Sequence, residues 1–257
     1  MAAIIHPIFF RSAGSFQLAY FAKLKSGKNL KDAELFCFLA AREPFLKLQI
    51  ELKVLASNVS ADLTRQLDSA RVLLCATEDL YSCASIKTFF HRCLQYGNFL
   101  NQSTFAAGAS GFALTSLLSA LNTKGNGPTS NIRLVDILAE NADNKIRSAV
   151  NVLSLLESAK KCSVDDLEKS ELGLRRSLEK SLKNVQECGD ASLFAHYSPI
   201  IMDSITKCGQ LTRTLKKIRD NELRLKEYYC GPTMNLEAIL ETLYQAFKLF
   251  QNALNVR

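Results

Sequence analysis

Tryptophan is absent, and the 257 residues include only 11 glycines and 5 prolines. So few turn-formers exclude a many-stranded sandwich or barrel, in which turn signals recur at intervals of about 8–12 residues. The enzymatic signatures are missing too: no GxGxxG follows a strand pattern, and there is no GxxxxGK[ST] and no HExxH. No CxxC pair exists among the eight cysteines at 37, 75, 83, 93, 162, 188, 208 and 230, which removes the common zinc frameworks. His91 and Cys93 form an isolated H-x-C, with the other two histidines far off at 6 and 196. No apolar run is long enough to span a bilayer; the longest weakly polar stretch, residues 108–121, is short and carries hydroxyls. The N-terminus lacks a basic n-region and a small-residue cleavage pattern, so it does not read as a signal peptide. The expectation is a non-catalytic protein without cofactor or metal and without a membrane segment. Scattered cysteines inside apolar patterns fit reduced thiols in an intracellular setting.

What is present is helical periodicity. Hydrophobic residues make up 47% and charged residues 22%, the balance of a folded globular chain. Phe45, Leu48, Leu52, Leu55, Val59, Leu63, Leu67, Ala70 and Leu74 recur at steps of three and four, either as one helix or as two restarted near Ser60 and Asp62. A short helix is predicted over 30–41, and others over 85–100 (ending near Gly97-Asn98), 111–121, 132–161, 163–188, 199–228 and 235–253. Ser163 and Asp166 carry the capping-box pattern, Gly189 is a stop, and Pro199 is read as the start of the next helix. Val164, Leu167, Leu174, Leu178 and Val185 come close to a heptad. The class is all-α, and apolar stripes this long predict an elongated helical body.

Charge is uneven. The net formal charge is +7. Residues 205–226 carry seven cations against Asp220 and Glu222, including Lys216, Lys217 and Arg219. That stretch reads either as the solvated face of an amphipathic helix or as a contact for an acidic partner, nucleic acid or an acidic protein surface, and the lack of interleaved aromatics favours the former.

One constellation resembles a known family. Gly97-Asn98-Phe99-Leu100-Asn101, then Gly111-Phe112-Ala113-Leu114, Leu117-Leu118 and Asn122-Thr123-Lys124, is similar to the central signature of the formin homology 2 domain. The flanks are similar more loosely: Leu30-Lys31-Asp32-Ala33-Glu34-Leu35-Phe36 on one side, Tyr228-Tyr229-Cys230-Gly231 on the other. The resemblance covers about residues 18–255. It implies one domain of knob, coiled-coil and post subdomains, here partial. Residues 1–44 would be the N-terminal segment and residual knob, 45–96 and 132–228 the long helices, 97–131 the signature turns and 229–257 the C-terminal helix.

The family dimerises through an N-terminal lasso whose tryptophans enter a post pocket of the partner, and the ring holds actin at the filament end. The resemblance therefore implies a homodimer with a post surface at Gly97, Asn98, Phe99, Asn101, Phe105, Gly111, Phe112 and Leu114. Gly97 and Asn98 would provide a sharp helix exit, and Asn101 would tie the turn to nearby backbone. The actin-contact positions are Ala106, Ser110, Ala113 and Lys124, and Phe105, Ala106, Ser110 and Ala113 stand where Arg or Lys is usual. The knob isoleucine that contacts actin has no counterpart, and the lasso and most of the knob have none either.

The expected function is a degenerate formin homology 2 module kept for homodimerisation or scaffolding, with actin binding weak or absent. Ile4, Ile5, Ile8, Phe9 and Phe10 would be a shortened insert. Formin-like proteins that combine this domain with zinc fingers in nuclear gene regulation favour a nuclear over a cytoplasmic setting. The alternative is an actin-assembly domain whose lasso lies outside this chain.

Overall fold

The structure, a computed structural model, describes residues 20–256 apart from 25, 29, 105, 106, 127 and 129. It contains α1 (Asp32–Ala40), α2 (Leu46–Ser82) and α3 (Ala84–Leu100). A 3₁₀ turn, Leu114–Ser116, then runs into α4 (Leu117–Leu121). After a loop come α5 (Leu134–Glu140), α6 (Asn144–Arg147), a second 3₁₀ turn (Ser148–Val152) and α7 (Leu153–Ala159). Three longer helices close the order: α8 (Val164–Glu187), α9 (Ala191–Tyr228) and α10 (Leu236–Asn255). The β contact among the described residues is a single antiparallel bridge between Lys124 and Arg133. The protein is all-α.

Local chemistry sets the helix ends. Ser163 Oγ accepts the Asp166 N–H at 3.4 Å at the start of α8, and Gly189, with φ +72°, follows its end. The Asn235 Oδ1 accepts the Ala238 N–H at 2.9 Å to open α10. In α2, Ser60 and Asp62 do not interrupt the helix: the Ser60 carbonyl accepts the Thr64 hydroxyl, and Asp62 pairs with Arg65 one turn on. The stripe is one helix.

Three expectations need correction. Pro199 lies inside α9, and the helix starts two turns earlier because Asp190 Oδ1 accepts the N–H groups of Ser192 and Leu193 at 2.8 and 3.1 Å. The single helix expected over 132–161 is broken at Asn141-Ala142-Asp143, where Asp143 caps α6 by accepting the Ile146 N–H at 2.8 Å. The helix expected from Gly111 begins only at Leu114, because Gly111, Phe112 and Ala113 are non-helical.

The described residues divide into two compact units, those up to 65 with 170–210, and those from 66 to 169 with those from 211 on. The first has a narrow core of Leu52, Val59 and Leu63 from α2, Leu178 and Val185 from α8, and Ile201 and Cys208 from α9. Its residues step by four and seven, the spacing of a coiled-coil seam. The second has the larger core, in which α10 packs against α4, α5 and α7. Phe89, Phe247 and Phe250 lie fully buried at its centre, with the Phe89 ring 5.1 Å from each of the other two. Aromatic contact at that spacing adds to the burial itself.

Candidate functional site

The signature turns lie in the second unit, where they shape two adjoining grooves. Gly97 and Asn98 do not form a helix exit. Both are inside α3, which continues to Leu100 and is capped by Asn101, whose N–H donates to the Gly97 carbonyl at 3.0 Å. Asn98 ties down the loop that follows. Its Nδ2 donates to the Ala109 carbonyl and its Oδ1 accepts the Ala109 N–H, both at 2.9 Å, so one side-chain amide pairs with one backbone residue as a peptide would. Asn101 acts through its backbone, its carbonyl accepting the Thr104 N–H and hydroxyl at 2.8 and 2.9 Å. Gly108, at φ +71°, makes the turn that brings Ala109 back to Asn98.

Beyond Ala109 the chain runs extended through Gly111 and Phe112, and Leu114, fully buried, donates its N–H to the Tyr229 carbonyl at 3.0 Å. Tyr229 is itself fixed, because its hydroxyl donates to the Leu80 carbonyl at 2.8 Å and burial pushes its ionisation well above the usual tyrosine range. Phe90 sits between them, 5.1 Å from the Tyr229 ring and 6.1 Å from Phe112.

Phe112 separates the grooves. One, of about 300 Å³, is walled by Lys87, Phe90 and His91 of α3, by Phe112, and by Tyr228 and Tyr229. The other, of about 240 Å³, is walled by Leu94, Gly97, Asn98, Phe112, Leu117 and Leu121. Both present mainly apolar surface with a few polar groups at the rim, which suits an apolar side chain rather than a charged metabolite. Gly97 and Gly111 both line the second groove, and a Cβ added at either would meet nothing within 4 Å.

The structure thus brings Gly97, Asn98, Asn101, Gly111 and Phe112 to the second groove, and Leu114 to the wall of the first. Phe99 and Leu100 line neither; they are exposed on α3 beside the grooves. Of the positions that the resemblance assigns to actin contact, Ser110 lines the first groove, Ala113 is half-buried, and Lys124 is exposed in the Arg133 bridge. Phe105 and Ala106 lie outside the described residues, as do Ile4, Ile5, Ile8, Phe9 and Phe10. Sequence reasoning missed Phe90, Leu94 and Tyr229 as groove residues. The signals were the Phe89-Phe90 and Tyr228-Tyr229 doublets, in which one ring enters the core or the wall and the other stays nearer solvent.

The site offers little for bond-making chemistry. Burial pushes the Cys93 thiol up to about 12, so it holds no thiolate at neutral pH, and His91 faces the other groove. Among the described residues no group of three or more His, Cys, Asp or Glu side chains could hold a metal ion, and no helix is long and apolar enough to cross a membrane.

On α9, Lys216 and Lys217 are exposed, but Arg219 is committed to carboxylates. It bonds Glu168 at 2.9 Å and Glu222 at 2.8 Å and also contacts Asp165. Its hydrogen bonds to these carboxylates, that to Glu168 foremost, raise the ionisation of its guanidinium further above neutrality. Lys226 bonds Glu222 from the next turn at 2.9 Å, and Lys207 bonds Asp203 at 2.7 Å. The cationic stretch is therefore partly neutralised from within.

Comparison with known proteins bears on this arrangement. The family model of the Formin Homology 2 Domain matches residues 17–251. The chain is 28% identical over 230 residues to human FH2 domain-containing protein 1, covering 88% of this chain and 20% of that protein. It is 24% identical over 229 residues to Inverted formin-2 of Xenopus laevis, covering 88% of this chain and 21% of that protein. To Excretory canal abnormal protein 6 of Caenorhabditis elegans it is 22% identical over 195 residues, covering 76% and 23%. The chain spans about a fifth of the length of the curated relatives it matches.

Proposed function

The chain belongs to the formin homology 2 family, and on that premise we propose that it is a non-catalytic interaction module that pairs with a second copy through the grooves flanking Phe112. The observation that carries this reading is the pair of apolar grooves on either side of Phe112, in a frame tied by the hydrogen bonds of Asn98, Leu114 and Tyr229. An apolar side chain of the partner that enters either groove is desolvated on both sides, the setting in which a few residues dominate an interface. Actin binding is weak in this reading, because Ser110 and Ala113 offer no cation to an acidic surface. The eight free cysteines support an intracellular protein, and the net charge of +7 fits the nucleus over the cytoplasm, which imaging of a fluorescent fusion would test.

Sedimentation velocity on the purified chain tests the pairing. The expected result is a dimer at micromolar concentration that Gly97→Phe converts to monomer with an unchanged melting curve, because the added ring fills the groove without meeting the fold. A monomeric wild type, or a Gly97→Phe dimer of undiminished affinity, overturns the reading. A seeded actin-elongation assay on the same samples decides the alternative. Nucleation or slowed barbed-end growth at micromolar protein would favour a working actin-assembly domain, as the match to Inverted formin-2 leads one to ask.

A further inference from the structure

The two grooves beside Phe112 differ in charge. None of the described residues walling the second is charged. The first has Lys87 and His91 of α3 at its rim, one turn apart and both exposed, and no Asp or Glu among the described residues that line it. Helix α3 carries no carboxylate along its length, and residues 101–113 carry no charge at all. An aromatic neighbour steadies Lys87: its ammonium lies 5.4 Å from the centre of the Tyr81 ring, and that ring meets Tyr228 edge-on at 5.8 Å. Burial, with the neighbouring Tyr81, raises the ionisation of the Tyr228 phenol, which keeps its proton at neutral pH. The polar side chains around an apolar floor of Phe90 and Phe112 are thus a cation, an imidazole, the hydroxyls of Tyr228 and Ser110 and the Cys230 thiol. All of them can donate a hydrogen bond, and none is an anion at neutral pH.

We propose that the first groove takes a segment of a partner protein in which an aromatic or leucine side chain stands beside an Asp or Glu. The apolar side chain lies against Phe90 and Phe112, and the carboxylate pairs with Lys87, with the Tyr228 hydroxyl as a further donor. A carboxylate only accepts, so a rim of donors satisfies it, whereas an ammonium or guanidinium on the ligand would be left unpaired and repelled. The uncharged second groove makes no such demand, which gives the ligand a direction across Phe112, its acidic end at Lys87. The inference rests on the reading of these grooves as the place where a partner docks, and it narrows that reading. Residues 1–19 contain no Asp or Glu, so the apolar cluster from Ile4 to Phe10 lacks the group that the first groove selects. A second copy that fills this groove does so with another part of its chain.

Selection from a random dodecapeptide display library on the full chain tests the ligand class. Recovered peptides are expected to place Phe, Tyr, Trp or Leu within two positions of an Asp or Glu. A synthetic copy of the dominant peptide should bind Lys87→Glu about tenfold more weakly than wild type, with an unchanged melting curve, while Lys87→Arg retains binding. The double variant Lys216→Glu, Lys217→Glu changes the net charge twice as much at positions that do not line the groove, and it should bind the peptide as wild type does. That control separates a contact at the rim from the general field of a basic protein. Recovered peptides without enriched carboxylates, no recovered peptide, equal binding to Lys87→Glu, or an equal loss in the double variant would overturn the proposal. Sedimentation keeps it apart from the pairing. A monomeric wild type that selects acidic peptides sinks the pairing and upholds this inference, and a dimer that selects none does the reverse.

Discussion

Asn98 shows how much one side chain can organise here. Its amide satisfies both polar groups of Ala109, and only Asn or Gln carries a donor and an acceptor in that planar arrangement. Asn98→Ala should therefore lower stability by about 1–2 kcal/mol in urea denaturation, and it should loosen the loop that places Gly111 and Phe112. Asn98→Asp keeps the acceptor for the Ala109 N–H but leaves the carbonyl of Ala109 without its donor. Its loss should fall between wild type and alanine, which the same titration would resolve. The importance of the Gly-Asn pair was legible in the sequence, but its mechanism was not. Both residues tolerate positive φ, so a helix exit was the economical reading. The actual partner, eleven residues on, shows only in three dimensions.

Among the elements, α9 depends on features that local rules read only in part. Proline is favoured at the first position of a helix, which made Pro199 look like a start, yet Asp190 is the cap and the helix tolerates a missing N–H two turns in. Pro199→Ala restores a donor to the carbonyl of Ala195. The variant should be more stable by about 1–3 kcal/mol, seen as a higher midpoint in thermal denaturation. The periodic apolar pattern made α2, α8 and α10 legible almost to their ends. Residues 132–161 kept that pattern through a break, because Asn141 and Asp143 occupy positions a continuous helix would also leave polar.

Arg219 clamps α9 to the first turns of α8. Burial pushes the Glu222 carboxyl up, but its bonds to Lys226 and Arg219 outweigh that and hold it below the usual range; Arg219 foremost, with the charge of Lys169, does the same for Asp165. A carboxyl lowered in the folded state contributes stability that is present above its unfolded value, near pH 4.5 for Glu222, and is lost as pH falls through the folded one. Wild type should therefore lose stability more steeply below about pH 4.5 than Arg219→Ala, which should already be weaker by about 1–2 kcal/mol at pH 7 because Glu222 retains only Lys226. Denaturant midpoints across pH 3–7 would show the two curves converging in acid, and parallel curves would argue against the clamp.

For the molecule as a whole, the two units have cores of different kinds. The first has a heptad-spaced seam, whereas the second has aromatic rings drawn from α3 and α10, far apart in the sequence. The class and the family resemblance were readable because long stripes and the clustered Gly-Asn and Gly-Phe motifs are local. The grooves were not, since their walls come from α3, the turn at Phe112 and the end of α9, three places linked by no sequence period. Phe89→Ala removes the ring shared by Phe247 and Phe250 and should cost about 3–5 kcal/mol, with the pairing lost along with the second unit's cooperative melting transition. Leu178→Ala, in the seam, should weaken the first unit while leaving the Phe112 grooves formed, and calorimetry beside sedimentation separates the two cases.

That shared ring has a bearing on biosynthesis. During translation Phe89 emerges long before the residues that enclose it, and the wall bearing Phe90 has no backing until α10 arrives. A nascent chain must keep this aromatic cluster from misassociating until α10 has emerged, and the walls on either side of Phe112 set only then.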